Sequence, residues 1–238
     1  MPNEFPFIKI CGVTTPTQAA EISRLGLSAI GINFYAKSPR AVTSEQGRLV
    51  REAIARDVLA VGVFVNAENP ELVATTRLVG LDAIQLHGDE PVAIVSQLRA
   101  LLPGIKIYRA FRVGSEGLAL VKSHMEQLTA LGQHYDAVLI DARLEKPAAS
   151  PPGQQAEEIY GGTGHKAPWE LLVGWREVLS DTPLILAGGL NADNVAAAIR
   201  AVAPTGVDTA SGVETAPGVK DISQSTRFIA QARETFKP

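Results

Sequence analysis

The run "VLAVGVFV", residues 58 to 65, decides the fold class because it is apolar at every position. A strand with one face in water alternates apolar and polar residues, whereas a strand covered on both faces is apolar nearly throughout. Seven more runs of this kind recur along the chain. They are "FIKICGV" from Phe7, "SAIGINF" from Ser28, "LDAIQL" from Leu81, "IKIYRAF" from Ile105, "YDAVLIDA" from Tyr135, "PLILAGG" from Pro183 and "GVDTAS" from Gly206. The pattern predicts eight strands of a parallel sheet.

Amphipathic segments with helix-start signals lie between these runs. Thr43, followed three positions later by Gln46, predicts a capping box. Asp89 and Asn191 are predicted to cap the helices that follow the fourth and seventh strands. Most strands begin roughly 20 to 30 residues after the previous one, which is the length of a βα unit. Eight such units predict an α/β protein with a (β/α)8 TIM barrel, a single domain over residues 1–238, and a doubly wound open sheet is the alternative.

The composition excludes several classes of partner. The net charge of −3 gives no reason to expect nucleic acid, and no apolar run approaches the roughly 20 residues that a membrane helix needs. The N-terminus lacks a basic segment followed by a long apolar one, so we expect no secretory signal. One cysteine cannot form an intrachain disulfide, which fits a reducing, cytoplasmic location. The oligomeric state is not readable from the sequence.

One segment is unlike the repeat. Residues 143–160, "RLEKPAASPPGQQAEEIY", are rich in proline, small residues and charge, and they predict a long mobile loop after the sixth strand. An interdomain linker is the alternative, but it would cut through the repeat. The next stretch, "YGGTGHKAP" over 160–168, is a candidate lid or anion contact.

Two reactive side chains stand at the ends of predicted strands. Cys11 ends the first strand and Asp141 follows "AVLI" in the sixth. Barrel chemistry gathers at the carboxyl ends of the strands, so both are expected at one rim. Cys11 is either a buried, inert residue or a thiol at this rim. Asp141 is either a helix cap or a functional carboxylate, because an unpartnered aspartate is costly to bury.

Two cationic or titratable residues follow other strands. Arg40, after the second strand, offers a planar fork for a carboxylate or phosphate, although most arginines are solvated at the surface. His87, after the fourth strand, either donates a hydrogen bond to a substrate or satisfies a loop carbonyl.

The loops after the seventh and eighth strands are rich in glycine. Glycine lets backbone amides approach an anion, and barrels often bind phosphate with these two loops. Tight turns that merely need glycine are the alternative. The residues concerned are Gly188, Gly189, Ser211 and Gly212.

Metal and nicotinamide sites are not predicted. The four histidines, at positions 87, 124, 134 and 165, have no ligand spacing and no partner cysteines. No GxGxxG sequence follows a strand. We therefore expect neither a metal nor a nicotinamide cofactor.

These motifs, taken in order, resemble the phosphoribosylanthranilate isomerase family of tryptophan biosynthesis over nearly the whole chain. The motifs are "KICGVT", "FYAKSPRAV", "VGVFVN", "IQLHGDE", "LIDA", "YGGTGHK", "LAGGLNADNV" and "GVDTASGVETAPGVKD". The resemblance implies a cofactor-free (β/α)8 barrel. It also implies an Amadori rearrangement of N-(5-phosphoribosyl)anthranilate to 1-(2-carboxyphenylamino)-1-deoxyribulose 5-phosphate, with a small phosphosugar as the partner.

The resemblance also implies roles for single residues. Cys11 takes the position of the general base and Asp141 that of the general acid. Arg40 takes the position that contacts the anthranilate side of the substrate, and His87 matches an active-site position. The positions of the phosphate-binding loops are Gly188, Gly189, Ser211 and Gly212.

Other functions remain open at this point. One alternative is another phosphosugar barrel, such as ProFAR isomerase, for which aspartates are expected as both acid and base. A second is a Schiff-base aldolase, which needs a desolvated lysine inside the barrel. A third is a phosphate-binding barrel without catalysis, which would need neither Cys11 nor Asp141.

Strand alternation also puts Lys9 and Cys11 on one side of the first strand, so Lys9 is a candidate to stabilise a thiolate.

Overall fold

The computed structural model describes residues 6–114, 117–142 and 169–237. Within them, eight parallel strands form a closed barrel in which each strand pairs with the next and the last pairs with the first. The strands are β1 Phe7–Cys11, β2 Ala29–Asn33, β3 Leu59–Phe64, β4 Ala83–Leu86, β5 Lys106–Val113, β6 Ala137–Ala142, β7 Leu184–Ala187 and β8 Gly206–Thr209. The predicted (β/α)8 barrel is confirmed, and the open-sheet alternative is wrong.

Helices between the strands cover the outside of the barrel. They are α1 Pro16–Ser23, α2 Ser44–Ala53, α3 Asn69–Val79, α4 Ile94–Leu101, α5 Ala119–Ala130, α6 Trp175–Leu179, α7 Val195–Val202 and α8 Ile222–Phe236. Two 3-10 helices, Trp169–Leu172 and Ser211–Val213, add a turn before α6 and after β8. A hairpin of β9 Glu214–Ala216 and β10 Val219–Lys220 then leads into α8.

Alternation along each strand explains why the runs are apolar throughout. Residues such as Val61, Ala83 and Leu139 form a core inside the barrel. Their neighbours in sequence, such as Ile84 and Ile140, belong to the second core, between the barrel and the helices. Each of the larger apolar side chains, such as valine, leucine and isoleucine, contributes about 1.5–3 kcal/mol by leaving water. The filled interior restricts polar chemistry to the end of the barrel.

The predicted helix starts meet different outcomes. Thr43 accepts a hydrogen bond from the backbone N–H of Gln46, whose side chain accepts from the N–H of Thr43, so the capping box is confirmed. The prediction that Asp89 caps the next helix is wrong, because α4 begins only at Ile94 with Ala93 as its N-cap. Glu90 is held instead by a buried ion pair with Arg109, which keeps this stretch in a loop conformation.

The start of α7 also differs from the prediction. Its N-cap is Asn194, not Asn191. Asn191 still closes the turn before the helix, since its side-chain oxygen accepts from the N–H groups of Asp193 and Asn194.

Two predictions concern residues that the structure does not describe. The loop over 143–160 and the candidate lid over 160–168 both lie outside the described residues. In the part of the chain that is described, no helix is both long and apolar enough to cross a membrane.

Candidate active site

A pocket opens at the carboxyl end of the barrel and gathers most of the predicted site residues. It is lined by Cys11, Arg40, His87, Asp141, Gly188, Gly189 and Ser211. Gly212 lies beside Ser211 and supports the pocket indirectly. A Cβ on Gly212 would stand 1.9 Å from the carbonyl oxygen of Leu190, so glycine there lets the loops after β7 and β8 pack together.

Cys11 occupies the last position of β1 and is partly exposed. Gly31, opposite it on β2, has no side chain, and a Cβ there would stand 2.6 Å from the Cys11 sulfur. The missing side chain leaves room for the thiol at the pocket wall. Cys11 is therefore not fully buried, in contrast to the alternative interpretation.

A buried ion pair stands behind Cys11. Nζ of Lys9 lies 3.0 Å from Oδ1 of Asp208, and Lys9 is fully buried. Burial alone lowers the pKa of Lys9, but the negative charge of Asp208 and the interaction with Cys11 outweigh it and raise the pKa. The raised pKa favours the charged form of Lys9 beside the thiol.

A second lysine fixes the backbone of Cys11. Nζ of Lys220 donates to the carbonyl oxygens of Cys11 and Ala210, at 2.5 and 3.1 Å, and to Oε1 of Glu214 at 2.6 Å. These bonds join the end of β1 to the segment after β8. Desolvation lowers the pKa of Lys220, and the attraction of Glu214 opposes this shift.

Glu214 holds Arg40 as well as Lys220. Nε and Nη2 of Arg40 donate to the two carboxylate oxygens of Glu214 at 2.8 and 2.6 Å. Nη1 of Arg40 takes no part in this bidentate pair. Burial acts to raise the pKa of Glu214, but Arg40 and Lys220 lower it below its ordinary value. Gly12, with φ +78°, lets the Arg40 side chain pass close to the backbone, because a Cβ on Gly12 would stand 2.4 Å from Cδ of Arg40. We call Arg40, Glu214 and Lys220 the carboxylate clamp.

Arg40 is thus not a solvated surface arginine. It is 8 % exposed, lines the pocket and is held rigid by Glu214. The hydrogen bond with Glu214 is the main cause that raises the pKa of the Arg40 guanidinium above its ordinary value, so Arg40 always carries its charge. A fixed guanidinium edge at the pocket suits an anionic substrate group.

Asp141 lies within β6, is 4 % exposed and lines the pocket. The helix-cap interpretation is wrong, because the residue belongs to a strand. Its strand is three places from β1 around the barrel. A thiol and a carboxyl group therefore reach one pocket from separate walls.

His87 directly follows β4 and lines the pocket beside Gln85, whose Nε2 lies 3.0 Å from Nδ1 of the imidazole. The loop that carries His87 is supported from behind. Glu90 accepts from the N–H groups of Gly88 and Asn66 and pairs with Arg109.

The two glycine-rich loops meet at the same pocket. Gly188 and Gly189 have φ values of +100° and +64°, which only glycine adopts without strain. The hydroxyl of Thr209 donates to the carbonyl oxygen of Leu190, at 2.6 Å, and so joins the two loops. Backbone and small side chains line this part of the wall, as an anion site requires.

The sequence interpretation missed three residues of this site: Asp208, Glu214 and Lys220. Asp208 carried a usable signal, since it is a charged residue inside a short apolar strand, as Asp141 is. Glu214 and Lys220 lay inside a quoted motif but carried no signal for their contacts, because Arg40 is 174 residues from Glu214 and Cys11 is 209 residues from Lys220.

The fold and the site define a (β/α)8-barrel enzyme whose pocket combines a thiol, a carboxyl group, a fixed arginine and two glycine-rich loops. Residues 8–231 match the family model described as N-(5'phosphoribosyl)anthranilate (PRA) isomerase. The chain belongs to this family.

Relatives and solved structures agree with the family match. The chain is 42% identical over 226 residues to N-(5'-phosphoribosyl)anthranilate isomerase of Magnetococcus marinus, covering 95% of this chain and 94% of that protein. It is 36% identical over 227 residues to the enzyme of that name from Gloeothece citriformis, covering 94% and 92%. The crystal structure of phosphoribosyl anthranilate isomerase from Thermotoga maritima matches with a TM-score of 0.76 at 33% identity, covering 96% of this chain and 99% of that chain.

A further solved structure holds a ligand. It is a phosphoribosyl anthranilate isomerase in complex with reduced 1-(o-carboxyphenylamino)-1-deoxyribulose 5-phosphate, with a TM-score of 0.73 at 31% identity over 96% of this chain and 99% of that one. The expected family and the isomerase class are confirmed, and the ProFAR isomerase, aldolase and non-catalytic alternatives are not the family that the chain matches. The roles of single residues stay predictions.

Proposed function

We propose that this pocket catalyses the Amadori rearrangement of N-(5-phosphoribosyl)anthranilate to 1-(2-carboxyphenylamino)-1-deoxyribulose 5-phosphate, with Asp141 as general acid and Cys11 as general base. One observation carries the proposal. The thiol and the carboxyl group line the same pocket from β1 and β6, so a sugar lying between them meets a proton donor and a proton acceptor.

The acid begins the reaction. Asp141 protonates the ring oxygen of the ribose, the bond between C1 and that oxygen breaks, and the nitrogen lone pair forms a C=N bond. The product of this step is an open-chain iminium. Asp141 is 4 % exposed, so its proton is shielded from bulk water during the transfer.

The base completes the isomerisation. The Cys11 thiolate removes the proton from C2, the electron pair forms a C1=C2 bond, and the nitrogen regains its lone pair. Loss of the enol hydroxyl proton and protonation of C1 then give the ketone. Lys9 lies behind Cys11 in an ion pair with Asp208, and Lys220 donates to the backbone carbonyl oxygen of Cys11, so two cationic side chains stand on the side where the thiolate forms.

The remaining residues bind the ends of the substrate. The glycine-rich loops with Gly188, Gly189, Ser211 and Gly212 hold the phosphate, and Arg40 binds the anthranilate carboxylate through the guanidinium edge that Glu214 leaves open. His87 contacts the aromatic end. No metal or other cofactor takes part in these steps. The thiolate needs a reducing environment, so the cytoplasm is the proposed location.

The single cysteine makes this proposal testable by alkylation. Iodoacetamide should remove isomerase activity, followed as loss of phosphoribosylanthranilate fluorescence, in proportion to the fraction of Cys11 modified. Reduced 1-(o-carboxyphenylamino)-1-deoxyribulose 5-phosphate should slow the modification by occupying the pocket. The Cys11→Ser variant is the control for reaction elsewhere. Full turnover after complete alkylation would refute the role of the thiol.

A further inference from the structure

The floor of the pocket contains a polar atom that the protein does not satisfy. Gln85 on β4 lines the pocket and is 1 % exposed. Its Nε2 lies 3.0 Å from Nδ1 of His87. Its Oε1 is buried and has no hydrogen-bond partner among residues 6–114, 117–142 and 169–237.

An unsatisfied acceptor at this place calls for a ligand. A buried carbonyl oxygen without a donor is destabilising, and an apolar side chain would avoid that cost. Other floor positions, such as Val63 on β3 and Leu139 on β6, are apolar. A site built to hydrogen-bond a substrate group accepts such an atom in the free state, because the bound substrate supplies the donor.

The barrel topology indicates which end of the substrate meets Gln85. β4 lies four places from β8 in the closed barrel, on the side away from the loops proposed to hold the phosphate. A sugar anchored at those loops directs its C1 end, which carries the aryl amine, towards β4. The amine N–H is the donor at this end that changes charge during the reaction.

We propose that Oε1 of Gln85 accepts a hydrogen bond from the aryl-amine N–H of the substrate, and that this bond strengthens when the ring opens. The inference rests on the proposed function. In the iminium the nitrogen forms the C=N bond and carries positive charge while keeping its proton, so its N–H becomes a charge-assisted donor. A neutral amide oxygen accepts this bond without taking the proton. Gln85 thus favours the iminium over the bound substrate, which raises the rate of the chemical step.

The test is Gln85→Met, which keeps the length of the side chain and removes both polar atoms. We expect kcat/KM to fall by about 30-fold, and the affinity for the reduced product analogue, whose amine is neutral, to fall only about threefold. The exposed Gln127→Met on α5 is the matched control and should change neither quantity. Equal effects on the two quantities, or no effect on kcat/KM, would overturn the inference.

A double-mutant cycle separates direct contact from action through His87. Gln85→Met should still lower kcat/KM clearly in His87→Ala, although by a different factor than in the wild type, because the two side chains are in contact. If the effect disappears in His87→Ala, Gln85 merely positions the imidazole and the inference is wrong. Gln85→Glu, which keeps an acceptor oxygen, should stay closer to the wild type than Gln85→Met, and the reverse order would also refute the acceptor role. A wild type without turnover would refute the proposed function itself, whereas an active wild type with an unaffected Gln85→Met would refute only this inference.

Discussion

Besides the pair of Lys9 and Asp208, the described residues place two buried ion-pair clusters near the pocket, and these two differ in what lies beside them. The carboxylate clamp of Arg40, Glu214 and Lys220 reaches the pocket wall and the backbone of Cys11. The pair of Arg109 and Glu90 lies behind the loop that carries His87, and neither residue lines the pocket. Both clusters are desolvated to a similar degree, so burial alone does not reveal which one serves the chemistry.

The comparison separates positioning for catalysis from support of the fold. A buried charge that loses its partner is strongly destabilising wherever it lies. A cluster that touches reacting groups should also change the rate of the folded enzyme, whereas a cluster behind the wall should change mainly the free energy of unfolding. Variants of the two clusters distinguish these outcomes.

Removing the centre of the clamp should have the largest effect. Glu214→Ala leaves Arg40 and Lys220 without their shared carboxylate, so we expect kcat/KM to fall by at least about 100-fold and the free energy of unfolding to fall by about 3 kcal/mol. Fluorescence assays and urea unfolding measure the two quantities. Glu214→Gln, which keeps the shape, should recover part of the stability but little activity. Full activity in Glu214→Ala would show that the clamp has no part in catalysis.

Breaking the rear pair should affect mainly stability. Arg109→Met leaves Glu90 buried and unpaired, so urea unfolding should show a loss of about 3 kcal/mol, with kcat of the folded enzyme changed by less than about tenfold. The double variant Arg109→Met/Glu90→Gln should regain part of that loss, because no charge is then left without a partner. A loss of activity equal to that of Glu214→Ala would contradict the distinction between the clusters.

Lys9 should have a smaller effect, confined to the thiol. Lys9→Met removes a positive charge beside Cys11, so alkylation of Cys11 at neutral pH should slow by about tenfold. A second variant, Lys9→Met/Asp208→Asn, is tested in parallel, because it leaves no buried carboxylate without a partner. An unchanged alkylation rate in both variants would show that Lys9 does not stabilise the thiolate.

The smallest expected effect concerns His124, whose ring packs on Phe111 near Arg109. Burial and then the charge of Arg109 lower its pKa to about 4, from an ordinary value of 6.5. Between these pH values the unfolded chain binds a proton that the folded protein does not, so stability should fall as the pH falls from 6.5 towards 4. The loss should be about 1 kcal/mol, because His124 is partly exposed.

His124→Phe is the control for this pH dependence, because it removes the titrating imidazole. Its free energy of unfolding should depend less on pH between 6.5 and 4. Urea unfolding at several pH values measures the difference. The same slope in both proteins would contradict the assigned cause.

The sequence predicted the barrel because its physical cause is local. Strands covered on both faces need continuous apolar runs, and this chain has eight of them at the spacing of βα units. Cys11 and Asp141 could be predicted as rim residues for the same reason, since their place follows from the ends of their strands.

The clamp and the actual start of α4 at Ile94 could not be predicted, because their causes are tertiary. Arg40 and Glu214 pair across 174 residues, and no local pattern marks a contact of that range. Asp89 has the composition of a cap, but the ion pair of Glu90 with Arg109 keeps the stretch out of the helix. Gln85 lies in the quoted motif "IQLHGDE", but its unsatisfied oxygen became visible only in the packed pocket.

The central claim is that Cys11 and Asp141 act as base and acid in one pocket. Its most direct test is a kinetic comparison of Cys11→Ser, Asp141→Asn and the double variant. Each single variant should lower kcat by at least about 100-fold while binding the reduced product analogue as the wild type does. The double variant should be little worse than the slower single variant, because the two groups act in one reaction sequence. Near wild-type kcat in either single variant would contradict the account.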